Sequence, residues 1–228
     1  MLIACFAAMA SVSAAAQAPA APTPRFVVVL DAAHGGTDSG GHSGSWTEKS
    51  FTLALSVRLR SLLTARGISV VTTRESDATL LTERRTEIAN HANAQACLDL
   101  HASLSGQGIH LFASSLAPAA PARFEPWRTA QAASITHSLA LAGVLNAALQ
   151  HASMSVTLGR TALPAVDSMT CPAVAVEIAP EATGARPQGE SATDSLNDPA
   201  YQARVAEALA AALVEWRAEA GHLGGSQP

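Results

Sequence analysis

Two histidines follow buried apolar runs: His34 after Val27-Val28-Val29-Leu30-Asp31-Ala32-Ala33, just before Gly35-Gly36, and His101 after Ala96-Cys97-Leu98-Asp99-Leu100. A glutamate, Glu48, opens the helical pattern that follows the first. Two imidazoles and one carboxylate make the donor set of a catalytic zinc: three protein ligands leave the fourth tetrahedral position to water, which the ion acidifies toward neutral pH. Glu177, in a third apolar run over 172 to 179, is a carboxylate of the kind that serves as general base and then general acid. His42 competes as a ligand, but its Gly- and Ser-rich surroundings do not provide the firm placement a ligand needs. His91, His110, His137, His151 and His222 fit no motif. Asp99, two residues before His101, shares its face and either orients its ring or makes a plain loop contact. Arg74 and Asn90 read as hydrogen-bonding helix and turn residues.

These residues need rigid carriers, and the pattern supplies them. Apolar runs at 26 to 31, 68 to 73, 97 to 101, 108 to 113 and 172 to 179 alternate with helical periodicity at 48 to 65, 82 to 93, 129 to 151 and 199 to 220. Phe51, Leu55, Leu59 and Leu62 mark one face of the first helix and Gly67 follows its end; Pro199 suits a first helical turn. Loops are expected at 35 to 47 and 180 to 197, both rich in Gly and Ser. Such alternation predicts an α/β fold, a mostly parallel twisted sheet of about five or six strands with helices on both faces. In such sheets ligands bind beyond the carboxyl ends of strands, where His34, His101 and Glu177 fall.

The 228 residues allow one ordinary domain, expected over 25 to 220 with a loose tail at 221 to 228. A net charge of -4 and a pI near 6.0 leave no basic stripe, so nucleic acid and anionic membranes are not expected partners. Residues 1 to 24 read as an export segment with linker, small and apolar with Ala-x-Ala sites, too short and alanine-rich for a membrane span. Leu2-Ile3-Ala4-Cys5 also matches a lipoprotein box, but no apolar run precedes it, so plain cleavage is favoured over lipidation of Cys5. After export Cys97 and Cys171 remain. Cys97 lies four residues before His101 and Cys171 six before Glu177. With those site residues level, the offset of roughly 6.6 Å added to a strand spacing near 4.8 Å exceeds the roughly 4.4 to 6.8 Å a disulfide spans. Two buried thiols are expected.

In order and spacing these motifs resemble the zinc-dependent N-acetylmuramoyl-L-alanine amidases of bacterial cell walls. The resemblance rests on Asp31-Ala32-Ala33-His34-Gly35-Gly36, Glu48, Thr73-Arg74, Arg85 with Ala89-Asn90, Asp99-Leu100-His101-Ala102, Pro172-Ala173-Val174-Ala175-Val176-Glu177 and Leu196-Asn197-Asp198-Pro199-Ala200-Tyr201, over about residues 26 to 216. It implies one zinc per chain on His34, Glu48 and His101, and Glu177 as the catalytic carboxylate. It also implies peptidoglycan (muramyl peptides) as substrate, cut between N-acetylmuramic acid and the L-alanine of the stem peptide, and a place in the periplasm or cell envelope. Two departures stand out: Asp167 occupies a position where the family commonly has arginine, and Ile178-Ala179-Pro180 replaces Leu-Gly-Phe, so substrate contacts are expected to differ. Two competing readings remain: a zinc hydrolase of another stem-peptide or N-acyl amide, and a non-catalytic, zinc-stabilised wall-binding module.

Some members of the resembled family insert a helix whose glutamate plugs the open zinc position. Here the corresponding interval, 114 to 128, holds Pro118, Pro121 and Pro126 and a single acid, Glu125. Because prolines interrupt helical turns, an open site that needs no activator is expected, in a monomer.

Overall fold

The computed structural model describes residues 25 to 120, 127 to 182, 189 and 191 to 224. The expected export segment, and Pro121, Glu125 and Pro126, lie outside the described residues.

Six strands form one sheet: β1 (Val27–Ala32), β4 (Ser69–Thr72), β5 (Ala96–Ala102), β6 (Ile109–Ser114), β7 (Val156–Thr161) and β8 (Ala173–Ile178), in the order β4-β1-β5-β8-β6-β7. β4, β1, β5 and β8 run parallel; β6 is antiparallel to β8 and parallel to β7. The sheet is therefore mostly parallel, as expected. A two-stranded ribbon, β2 (His42–Ser43) with β3 (Trp46–Thr47), stands apart.

The central strands β1, β5 and β8 are the continuous apolar runs because both their faces are covered. Val28, Leu30, Leu98, Leu100, Val174 and Val176 point into the larger core, closed by α1 (Glu48–Ala65), α3 (Ile135–His151) and α6 (Pro199–Gly224). In α1, Phe51, Leu55, Leu59 and Leu63 form the buried stripe at four-residue spacing. Alternate residues of the same strands, among them Val29, Cys97, Ala173 and Ala175, join Val166 and Met169 in a smaller core, under α2 (Thr82–His91) and α4 (Pro164–Asp167).

Three expectations about the elements are corrected. The helix expected over 129 to 151 is broken: a 3-10 segment (Trp127–Ala133) precedes α3, and there the buried Gln131 side-chain amide donates to the carbonyls of Met169 and Cys171. β7 intervenes between α3 and β8; its exposed residues mark an edge strand whose apolar signal is weak. In the segment over 180 to 197, α5 (Ala192–Asn197) starts at a capping box of Ser191 and Asp194.

Cys97 and Cys171 form a disulfide with Cα atoms 6.1 Å apart, which corrects the expectation of free thiols. The expected register is present: His101 is level with Glu177 and Cys97 with Ala173. The strand does not extend backward to Cys171. β8 begins at Ala173, and Cys171 sits in a bend before it, so the two-residue offset is folded back rather than added to the strand spacing. The bond joins β5 to the segment leading into β8 across a 74-residue separation. A Cys97→Ala/Cys171→Ala protein is expected to lose about 2 to 5 kcal/mol of unfolding free energy, read from urea denaturation; an unchanged midpoint would mean the bond constrains nothing.

Candidate metal centre

β1 ends in a turn that carries His34 with φ at +62° and Gly35 and Gly36 also at positive φ. A non-glycine residue is seldom found there, so the surroundings must hold it. Two buried arginines do so. Arg74 donates to the carbonyls of Ala32, Ala33 and Lys49, and Arg85 to those of Ala32 and His34. Arg85 also pairs with buried Asp31 at 2.6 Å, and Thr73 donates to the same carboxylate oxygen. Burial raises the Asp31 pKa, with Asp99 adding to the push, against the pull of Arg85 and Thr73.

His101 lies in β5 beside the end of β1, while Glu48 arrives from the far side of the sheet as the first residue of α1. Its carboxylate is pinned by the backbone N–H groups of Gly41 at 2.9 Å and Ala102 at 3.1 Å. Gly40 passes directly over this point: a Cβ there would lie 2.6 Å from both Glu48 Oε2 and His34 Cδ2, so only glycine fits without displacement.

His34 Nε2 stands 3.1 Å from Glu48 Oε2, and His101 Nδ1 stands 3.0 Å from Glu48 Oε1. One donor atom from each of the three residues falls within 4.8 Å of the others. Three convergent donors of this chemistry suit a divalent zinc. The outward nitrogens of both rings face carboxylates: Asp38 Oδ2 at 2.8 Å from His34 Nδ1 and Asp99 Oδ1 at 3.3 Å from His101 Nε2. This pattern sets ring orientation and basicity at metal sites. Burial works against charging His101, but Asp99 and Glu48 outweigh it and push its pKa up to about 10. Burial likewise opposes charge on Glu48, and hydrogen bonds from His101, Gly41 and Ala102 overcome it, holding its pKa below the ordinary value. The cluster is thus built to receive positive charge. His42 is exposed in β2 and is not part of it.

Glu177 is half-buried, level with His101 on one neighbouring strand and with His110 on the other. Asp31, Asp99, His101 and Glu177 thus share one sheet face. A cleft of about 170 Å³ opens beside the first three of them, lined also by His34, Asp38, Thr82, Arg85 and Ala165 among others.

The model of one family, described as N-acetylmuramoyl-L-alanine amidase, matches residues 28 to 215. The chain belongs to that family. Among curated relatives, a germination-specific N-acetylmuramoyl-L-alanine amidase of Bacillus subtilis (strain 168) is 33% identical over 89 residues, which are 33% of this chain and 38% of that protein. N-acetylmuramoyl-L-alanine amidase AmiA of Escherichia coli (strain K12) is 41% identical over 78 residues, 33% of this chain and 27% of that protein. The chain therefore aligns with well under half the length of these relatives. Among solved structures, the catalytic domain of the amidase CwlV from Bacillus (Paenibacillus) polymyxa var. colistinus superposes with a TM-score of 0.64 at 25% identity, covering 84% of this chain and 97% of that one. The fold is also that of the amidase AmiC2 of Nostoc punctiforme, with a TM-score of 0.63 at 24% identity, covering 84% of this chain and 96% of that one.

Within this family member His34, Glu48 and His101 come together, and Asp99 stands against the His101 ring. Asp38 was missed, although an acid four residues after a candidate ligand was a legible signal. His110 fits no motif; only strand pairing puts it across from Glu177. Arg74 and Arg85 matched motifs, yet their grip on the His34 turn was not visible. Replacing Asp38 or Asp99 by Asn should weaken zinc binding about 10- to 100-fold, measured by chelator competition; unchanged affinity in both would remove their orienting role.

Proposed function

We propose that this family member is an exported, monomeric amidase that hydrolyses the bond between N-acetylmuramic acid and the L-alanine of the peptidoglycan stem peptide, using one zinc per chain. The observation that carries this reading is the convergence of His34, Glu48 and His101 on one point, with Glu177 level with His101 on the adjacent strand. When bound, zinc supplies the Lewis acidity that polarises an amide carbonyl and makes water nucleophilic near neutral pH.

His34 Nε2, one Glu48 oxygen and His101 Nδ1 would hold the ion, with Asp38 and Asp99 accepting from the opposite ring nitrogens and so fixing both tautomers. Glu177 would take the proton of the attacking water and return it to the departing alanine nitrogen. The reading of residues 1 to 24 as an export segment supports a place in the periplasm or cell envelope. Among the described residues no single helix is long and apolar enough to cross a membrane. The proline-rich sequence of the interval before α3 supports activity without an activator.

Digestion of purified sacculi, followed by mass analysis, should release stem peptides with a free L-alanine amino group. Release of any other fragment would overturn the choice of bond. His34→Ala or His101→Ala should lose most of the zinc and all activity, since two ligands hold a catalytic ion poorly. Glu177→Gln should keep zinc and fold while turnover falls about a hundredfold or more; parental turnover would assign the proton transfers to another group.

A further inference from the structure

Between β7 and β8 the chain runs through a connector, residues 163 to 172, that includes α4 and supplies Ala165 to the lining of the metal cleft. Its buried side chains Val166, Met169 and Cys171 belong to the smaller core, on the site face of the sheet. Beside those three, that core holds Val29, Cys97 and three alanines, whereas the opposite core is built on leucines such as Leu30, Leu59, Leu98 and Leu209. Alanine buries little apolar area, so the site-side layer gains less from packing. Asn90 donates to the Ser168 carbonyl and accepts from the Thr170 N–H, and Gln131 donates to the carbonyls of Met169 and Cys171. These bonds hold the connector to the flanking helical segments. To β5 it is joined by the hydrogen bond from the Cys97 N–H to the Pro172 carbonyl, at 2.8 Å, and by the Cys97–Cys171 disulfide. A segment with few buried apolar contacts opens locally at less cost than the whole fold, and a covalent tie opposes that opening.

We propose that this disulfide is a redox switch on the wall of the metal cleft, an inference that rests on the amidase reading above for what the cleft takes. Oxidised, the bond clamps the connector to β5, and Ala165 stays in the wall against which substrate is held. Reduced, the connector opens locally while the leucine-rich core keeps the sheet together. Zinc is retained in both states, because His34, Glu48 and His101 stand on the turn after β1, on α1 and on β5, and none stands on the connector. Closing the switch converts two thiols to a disulfide. The two electrons and two protons pass to an external disulfide such as oxidised glutathione, which leaves as two thiols. Cys97 is 0% and Cys171 4% exposed, so exchange requires the connector to open, and the state set during folding persists. A chain held in a reducing compartment is thereby a poor hydrolase, and one that folds in an oxidising compartment has full activity.

Hydrogen exchange read by mass spectrometry follows the connector without any substrate. The zinc-loaded full chain is refolded either in a glutathione redox buffer or with a phosphine reductant. The phosphine takes oxygen from water to become its oxide and, unlike a dithiol, leaves zinc in place. Over minutes, exchange at 163 to 172 should quicken about tenfold or more in the reduced protein, while α1 and α6 stay unexchanged. On a soluble muropeptide kcat/KM should fall by a similar factor, carried by KM, with zinc content unchanged. Cys97→Ala/Cys171→Ala should behave as the reduced protein in both buffers, and the parent in its two states decides the matter if this variant misfolds. Equal exchange in the two states, unchanged kcat/KM, a fall confined to kcat, or loss of zinc together with exchange of α1 and α6 would each overturn the switch. Faster connector exchange on reduction, in a protein that leaves muropeptides intact in both states, would instead overturn the amidase reading alone.

Discussion

Arg85 and Arg74 hold the turn on which the site depends. A main chain that leaves a central strand and enters positive φ at a histidine gives up its ladder hydrogen bonds, and its carbonyls must find donors elsewhere. The carbonyls of Ala32, Ala33 and His34 all receive guanidinium N–H groups. Arg85 is itself neutralised by Asp31, which is 1% exposed. Removing either member of a buried pair leaves an uncompensated charge, which costs about 3 to 5 kcal/mol. The turn is therefore coupled to the integrity of the core, and the direction of the His34 ring with it.

From that anchor the site is assembled across layers. β1 delivers His34 and β5 delivers His101 on one side of the sheet, whereas α1 packs on the other side and sends its first residue, Glu48, into the site. The glycine-rich segment before α1 closes the gap: Gly41 donates to Glu48, and Gly40 lies against both Glu48 and His34. Four carboxylates, those of Asp38, Glu48, Asp99 and Glu177, gather near two imidazoles on this sheet edge. That excess of negative charge favours a cation at the centre, as the elevated pKa of His101 already indicates. The Cys97–Cys171 bond lies on the same face, toward the opposite ends of β5 and β8, and ties the strands that bring His101 and Glu177 level.

Much of this was legible from residue order. β1, β5 and β8 announce themselves because strands buried on both faces must be apolar throughout, and α1 because its stripe repeats every four residues. The motifs around His34, Glu48, His101 and Glu177 are local, so chain order suffices to find them. The edge strand β7 escaped because solvent on its exposed side removes the need for apolar residues. The break before α3 escaped because Gln131 and Ser138 satisfy each other and the backbone of the β8 approach, contacts made with residues far along the chain.

By itself, then, the sequence determined the fold class, the donor types and the strand ends on which they stand, since periodicity and motif spacing are properties of neighbouring residues. The tertiary structure alone decided which face Asp31, Asp99, His101 and Glu177 share, that Asp38 and His110 stand beside them, and that Cys171 turns back to meet Cys97. Those outcomes depend on register between strands distant in sequence and on where each strand begins. A shift of one residue would send every side chain to the opposite face.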